Sequence, residues 1–170
     1  MTEKRPILKL KYSITEKIIF ILTVIVLILS FAFIIIYWKS MPSIIPTHFN
    51  FYGKPDGWGG KKSLLILPII NLIIFILLAV LSKFPHIYNY PVNITEKNAN
   101  YQYTNARKLM IVMNLEIVCL FFYISLTEVY SGLGKINGPG TLFLPIFLLI
   151  IFGTTAYFTI KMYRNKPVIK

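Results

Sequence analysis

Four apolar runs, at residues 18–38, 63–82, 109–127 and 141–160, constrain this 170-residue chain more than any other feature. Each is about 20 residues long, and a helix rising about 1.5 Å per residue then covers the roughly 30 Å hydrocarbon core of a bilayer. Helices are the expected form, because lipid offers the backbone no hydrogen-bond partner. A membrane β-barrel would alternate apolar and polar residues, and runs such as Leu64, Leu65, Ile66, Leu67 do not. Composition agrees: 56% of the residues are hydrophobic and 14% are charged, against about 45–50% and about 25% in soluble domains. A soluble enzyme, a disordered chain and a disulfide scaffold are excluded together, the last because Cys119 is the only cysteine. The expectation is an all-α integral membrane protein, an antiparallel four-helix transmembrane bundle. Residues 1–170 read as one domain, since each connection is too short to fold separately.

Basic residues set the expected orientation. Lys and Arg number five in the N-terminal tail, four in 83–108 and four in the C-terminal tail, against four in 39–62 and one in 128–140. Positive residues concentrate on the cytoplasmic side, so both termini are expected in the cytoplasm, 39–62 outside and 83–108 inside. The first run exceeds a signal peptide's usual 7–15 apolar residues and lacks a small-residue cleavage site, so it reads as a retained anchor. The net charge of +12 follows from this bias and from attraction to anionic lipid headgroups. It does not point to nucleic acid. Lys in excess of Arg, with frequent Ile, Asn and Tyr, suggests an AT-rich bacterial genome and hence a bacterial plasma membrane. In 83–108, Thr95 is the expected N-cap of an early start to the third helix.

The outer segment 41–62, MPSIIPTHFNFYGKPDGWGGKK, is rich in Pro, Gly and aromatics. Alternation over 47–51 fits a short strand, with His48 and Asn50 on one face. Lys54, Pro55, Asp56 and Gly57 fit a type I turn, and Gly53 can take a positive φ before it. A small extracellular cap, with room for a short β-hairpin, is therefore expected. Tyr37, Trp38 and Trp58 are natural headgroup-level anchors. His48, Asn50 and Asp56 then bring a titratable ring, an amide and a carboxylate together, a set able to bind a peptide or a headgroup. The structural alternative is that the same groups tie the turn together. One His and one Asp are too few for a transition-metal site, so no metal or other cofactor is expected.

Residues 45–58, I-P-T-H-F-N-x-x-G-x-P-D-G-W, closely resemble the signature of a domain of unknown function that forms the N-terminal module of SdpI-type bacterial immunity proteins and also occurs alone in short membrane proteins. Residues 63–68 resemble its continuation, and 94–99 and 114–116 are similar to the short form. The resemblance implies protection against a secreted membrane-active toxin, and signalling through a repressor held at the membrane. The matching Pro46, His48, Asn50, Gly53, Pro55 and Asp56, with Trp58, become candidate ligand-binding residues for a toxin peptide or envelope component.

Within the runs, Glu116 is the one ionisable residue. A charge there costs about 2.5–3.5 kcal/mol on insertion scales, so it is expected to face the interior. By depth, Thr23, Thr154 and Thr155 are its expected partners, with Gly153 allowing close helix approach. Glu116 is either a proton or cation relay or a packing residue. Cys119 reads as a small apolar packer. No G-x-S-x-G, H-E-x-x-H or P-loop is present, so the chain is expected not to be an enzyme. The leading expectation is an immunity or sensing protein. A small accessory subunit of a membrane complex, with a cytoplasmic regulator or membrane partner, is the alternative, followed by an ion-coupled carrier built on Glu116. Homo-oligomerisation stays open.

Overall fold

The computed structural model describes residues 5–164. Lys4, Lys166 and Lys170, counted in the orientation above, lie outside them. The elements are α1 (Ile14–Tyr37), β1 (Ile44–Phe49), β2 (Pro55–Gly60), α2 (Ile66–Leu81), α3 (Ala99–Gly132) and α4 (Phe143–Arg164). With the short 3-10 turns that follow α1 and precede α2, the helical segments Ile14–Ser40, Lys61–Leu81, Ala99–Gly132 and Phe143–Arg164 are long and apolar enough to cross a membrane, so the chain is a multi-pass helical protein with one two-stranded sheet. Pro68 and Pro145 fall in the first turns of α2 and α4, where the leading N–H groups have no helical partner to lose.

The helices do not form a square bundle. α3 is the hub: α1 lies parallel to it, α2 and α4 antiparallel, and α4 packs on α3. Two amides clamp α2 to α3. Asn71 Nδ2 donates to the Val118 carbonyl at 3.3 Å, and Asn114 Nδ2 donates to the Phe75 carbonyl at 3.2 Å. Between α1 and α3, Phe33 meets Phe122 and Tyr130 edge to face. α3 has 34 residues, not the 19 or so of its apolar run. It begins at Ala99 with Asn98, not Thr95, as its N-cap. Asn98 instead closes the preceding turn by accepting from Thr95 N at 2.8 Å. At the other end the helix runs past Thr127 to Gly132 and carries Glu128 with it.

The hairpin is tied to the helices through an apolar cluster of Ile34, Met41, Ile45, Leu64 and Val129. Ile45 is fully enclosed. The far end of the molecule, where α1 begins, is held differently. Residues 5–13, which form no regular element, lie against residues 83–90, and Arg5 donates to the carbonyls of Tyr88 and His86. Ser13 caps α1 in a reciprocal box with Glu16. Glu16 also accepts from Arg107 Nε at 2.8 Å and from Nη2 at 3.3 Å. The same guanidinium donates to the carbonyls of Leu10 and Lys11 and stacks over Tyr12. Both partners are buried.

Candidate functional site

The β1–β2 pairing is antiparallel, with Ile45 opposite Gly59 and Pro46 opposite Trp58, and its register shifts on either side of His48. The tight turn lies at 50–54, not at 54–57. Pro55, Asp56 and Gly57 belong to β2. The reason is Asn50, whose Oδ1 accepts from Tyr52 N at 2.9 Å and Lys54 N at 3.1 Å. Its backbone adds two more bonds: the Asn50 carbonyl accepts from Gly53 N at 2.8 Å, and the Asn50 N–H donates to the Lys54 carbonyl at 2.9 Å. An Asx-type turn thereby replaces the proline turn. Gly53 takes φ +70, as its place in the turn requires. Its Cα faces the backbone of Gly140, with no room for a Cβ. The hairpin tip is thus docked backbone to backbone on the loop between α3 and α4.

The register shift brings His48 Nδ1 to 2.5 Å from Asp56 Oδ1. This pair is largely in solvent, its side chains 72% and 41% exposed, and such pairs contribute about 0–1 kcal/mol. Pro46 is buried against the helices, whereas Trp58, Phe51 and Tyr52 project outward as an aromatic rim. The candidate residues therefore separate. Asn50 and Gly53 build the turn, His48 and Asp56 pair on the outer face, Pro46 and Pro55 shape the strands, and Trp58 stands free of the core.

Beneath the hairpin is a cavity of about 510 Å³ between the turn, α2, α3 and α4. Its wall includes His48, Asn50 and Gly53 from the hairpin and Leu67, Phe143 and Glu128 from the helices. Glu128 is 5% exposed, and its Oε2 is enclosed without a hydrogen-bond partner. The apolar run ends at Thr127, which places Glu128 in a loop by sequence alone. Its signal was the absence of any Gly or Pro between Thr127 and Gly132, which lets α3 continue for another turn. Glu16 and Arg107 were also missed, although Ser13-x-x-Glu16 is a capping-box spacing.

The expected polar layer around Glu116 forms in part. Thr154 Oγ1 donates to Glu116 Oε1 at 2.5 Å. Thr23 and Thr155 instead donate to carbonyls one turn back in their own helices, those of Ile19 and Ile151. A threonine hydroxyl reaches its own i−4 carbonyl as easily as a neighbouring helix, so matched depth was not enough. Gly153 faces open space rather than a helix. Cys119 is exposed on the surface of the helical layer rather than packed inside, and with Glu116 it lines a groove between α3 and α4.

Residues 25–72 match a family described as "Domain of unknown function (DUF1648)". The match takes in the second half of α1, the whole hairpin and the start of α2, and leaves Glu116 and Glu128 outside it. An uncharacterized protein of Archaeoglobus fulgidus is 29% identical over 85 residues, which are 45% of this chain and 46% of that protein. The chain thus spans about half the length of that relative. No solved structure matches significantly. The chain is a multi-pass helical membrane protein similar, through its hairpin and the helices on either side, to this domain of unknown function.

Proposed function

We propose that this chain is a non-enzymatic membrane protein that receives a membrane-active peptide or another envelope amphiphile beneath its hairpin, and so protects the cell or reports the compound's presence. The observation that carries this reading is the cavity of about 510 Å³ walled by the motif turn on one side and by helices on the other. That volume is in the range of small-ligand sites, roughly 300–1,000 Å³. A mostly apolar wall beside a headgroup-level aromatic rim suits a compound that partitions into the membrane interface. The resemblance of 45–58 to the module of SdpI-type immunity proteins points the same way. In this reading the termini and the 83–98 segment are cytoplasmic and pass a signal to a partner there.

The test is survival. Cells with and without the gene are challenged with supernatant rich in a membrane-active peptide. Protection is expected, and Leu67→Trp, which fills the cavity from α2, removes it at unchanged membrane abundance. Full protection by the filled variant removes the cavity from the mechanism.

A further inference from the structure

The cavity beneath the hairpin has one enclosed charge-bearing group and nothing to balance it. Glu128 leaves α3 one turn before its end, with Ile124 one turn earlier on the same wall. Among the described residues no Lys or Arg lines the cavity. His48 stands at the rim with its Nδ1 turned to Asp56. Leu67, Phe143 and Leu144 close the sides. Burial disfavours the charged form of such an acid unless a cation meets it with hydrogen bonds.

Building on the reception of an amphiphile argued above, we propose that Glu128 recognises an ammonium group, and that the group is a lysine side chain of an apolar peptide. Three observations select this occupant. Glu128 is the enclosed carboxyl group of the wall, and the ligand charge that favours its ionised form is positive. A hard metal cation needs about six or more oxygen ligands, and the apolar wall does not supply them. A zwitterionic phospholipid would bring its phosphate in with its amine. With no Lys or Arg at the wall, that phosphate would sit unmatched beside a carboxylate. Lysine carries its charge on a four-carbon apolar stem, which can cross the Leu67 and Phe143 surfaces while its head reaches the acid. A charge-assisted hydrogen bond between ammonium and carboxylate then forms in surroundings that screen it poorly.

The experiment uses the full chain in lipid nanodiscs. The probes are a fluorescent, N-acetylated apolar peptide with one central lysine and the same peptide with that lysine acetylated. The lysine peptide is expected to bind about tenfold tighter or more. Glu128→Gln abolishes the difference, and Glu116→Gln leaves it intact. Equal binding of the two peptides to the unaltered protein overturns the role of Glu128 and leaves the proposed function standing. Binding of neither peptide overturns both. Displacement of the lysine peptide by added phosphatidylethanolamine, at concentrations where phosphatidylglycerol displaces none, overturns the peptide as occupant. Should Glu128→Gln lose its fold, the comparison of the two peptides on the unaltered protein decides alone.

Discussion

The two ends of α3 bury carboxylates in opposite ways. At the end shared with the start of α1, Glu16 is met by Arg107 and by the Ser13 backbone and hydroxyl, and the guanidinium's other N–H groups go to Leu10 and Lys11 carbonyls. At the hairpin end, Glu128 is enclosed with an unpartnered oxygen beside a cavity. The first arrangement uses a charge to fix geometry: it docks the chain at Leu10 and Lys11 on α3 and sets where α1 begins. The second carries the cost of burial without that return. The fold pairs Glu16 fully but leaves one oxygen of Glu128 without a partner, the feature on which the proposed recognition of a cation rests.

Breaking the satisfied end has the largest expected effect. Arg107→Leu strands Glu16 without its counter-charge, and losses from such half-broken pairs run at about 3–5 kcal/mol. Unfolding in mild detergent, followed by loss of helical circular dichroism, measures it. Adding Glu16→Leu to Arg107→Leu is expected to recover most of the loss, because the stranded charge goes too. A double variant as weak as the single one would mean that the carbonyl bonds to Leu10 and Lys11 matter more than the ion pair.

The unsatisfied end predicts the opposite sign. Glu128→Leu removes an enclosed polar group without a partner, whose burial costs about 1–3 kcal/mol. The variant is expected to melt higher than the parent protein by the same assay, while Glu16→Leu melts lower. A destabilised Glu128→Leu would show that the carboxyl group has a structural partner and would dissolve the contrast.

The sequence carries the helices more clearly than the acids. Four apolar runs announce four spans because hydropathy is a property of about 20 consecutive residues, and one misplaced boundary does not erase it. The hairpin is legible for a similar reason, in the dense run of Pro, Gly and aromatics from 41 to 62. Its turn is misread by a few residues because Pro55 and Gly57 fit a type I pattern, whereas the Asn50 side chain offers a competing closure that depends on actual hydrogen bonds. Glu128 is lost to a boundary: a window that stops at Thr127 turns a buried acid into a loop residue. Arg107 is lost because a basic residue near a helix end reads as topology, and nothing local says that residue 16 lies beside it.

A smaller effect tests how the roof over the cavity is held. Gly53 has φ +70 and Gly140 φ +82, where a side chain costs about 1–2 kcal/mol. Gly53→Ala meets that cost and also the Gly140 backbone, whereas a Cβ on Gly140 has open space around it. Both are expected to loosen the hairpin, Gly53→Ala more, seen as faster amide hydrogen exchange at Ile45 and Lys54. The Arg107 end should not change. Equal exchange in the two variants would place the hairpin's anchorage wholly in Ile45 and its apolar cluster.

The smallest effect belongs to the satisfied end and appears only in alkali. Burial, with Tyr12 nearby, pushes the Tyr88 phenol up to about 12 from its usual value near 10. Its hydroxyl donates to the Leu81 carbonyl at 2.5 Å, a bond that needs the proton. A group whose folded pKa is raised contributes stability in full below its unfolded pKa and loses it as pH climbs through the folded one. The seam between α2 and the 83–98 segment should therefore hold to about pH 10 and loosen between about pH 10 and 12. Phenolate absorbance of the parent protein minus that of Tyr88→Phe should show a midpoint near pH 12. A midpoint near pH 10 would mean that Tyr88 is open to water, and that the segment on which Arg5 docks is looser than the end it helps to close.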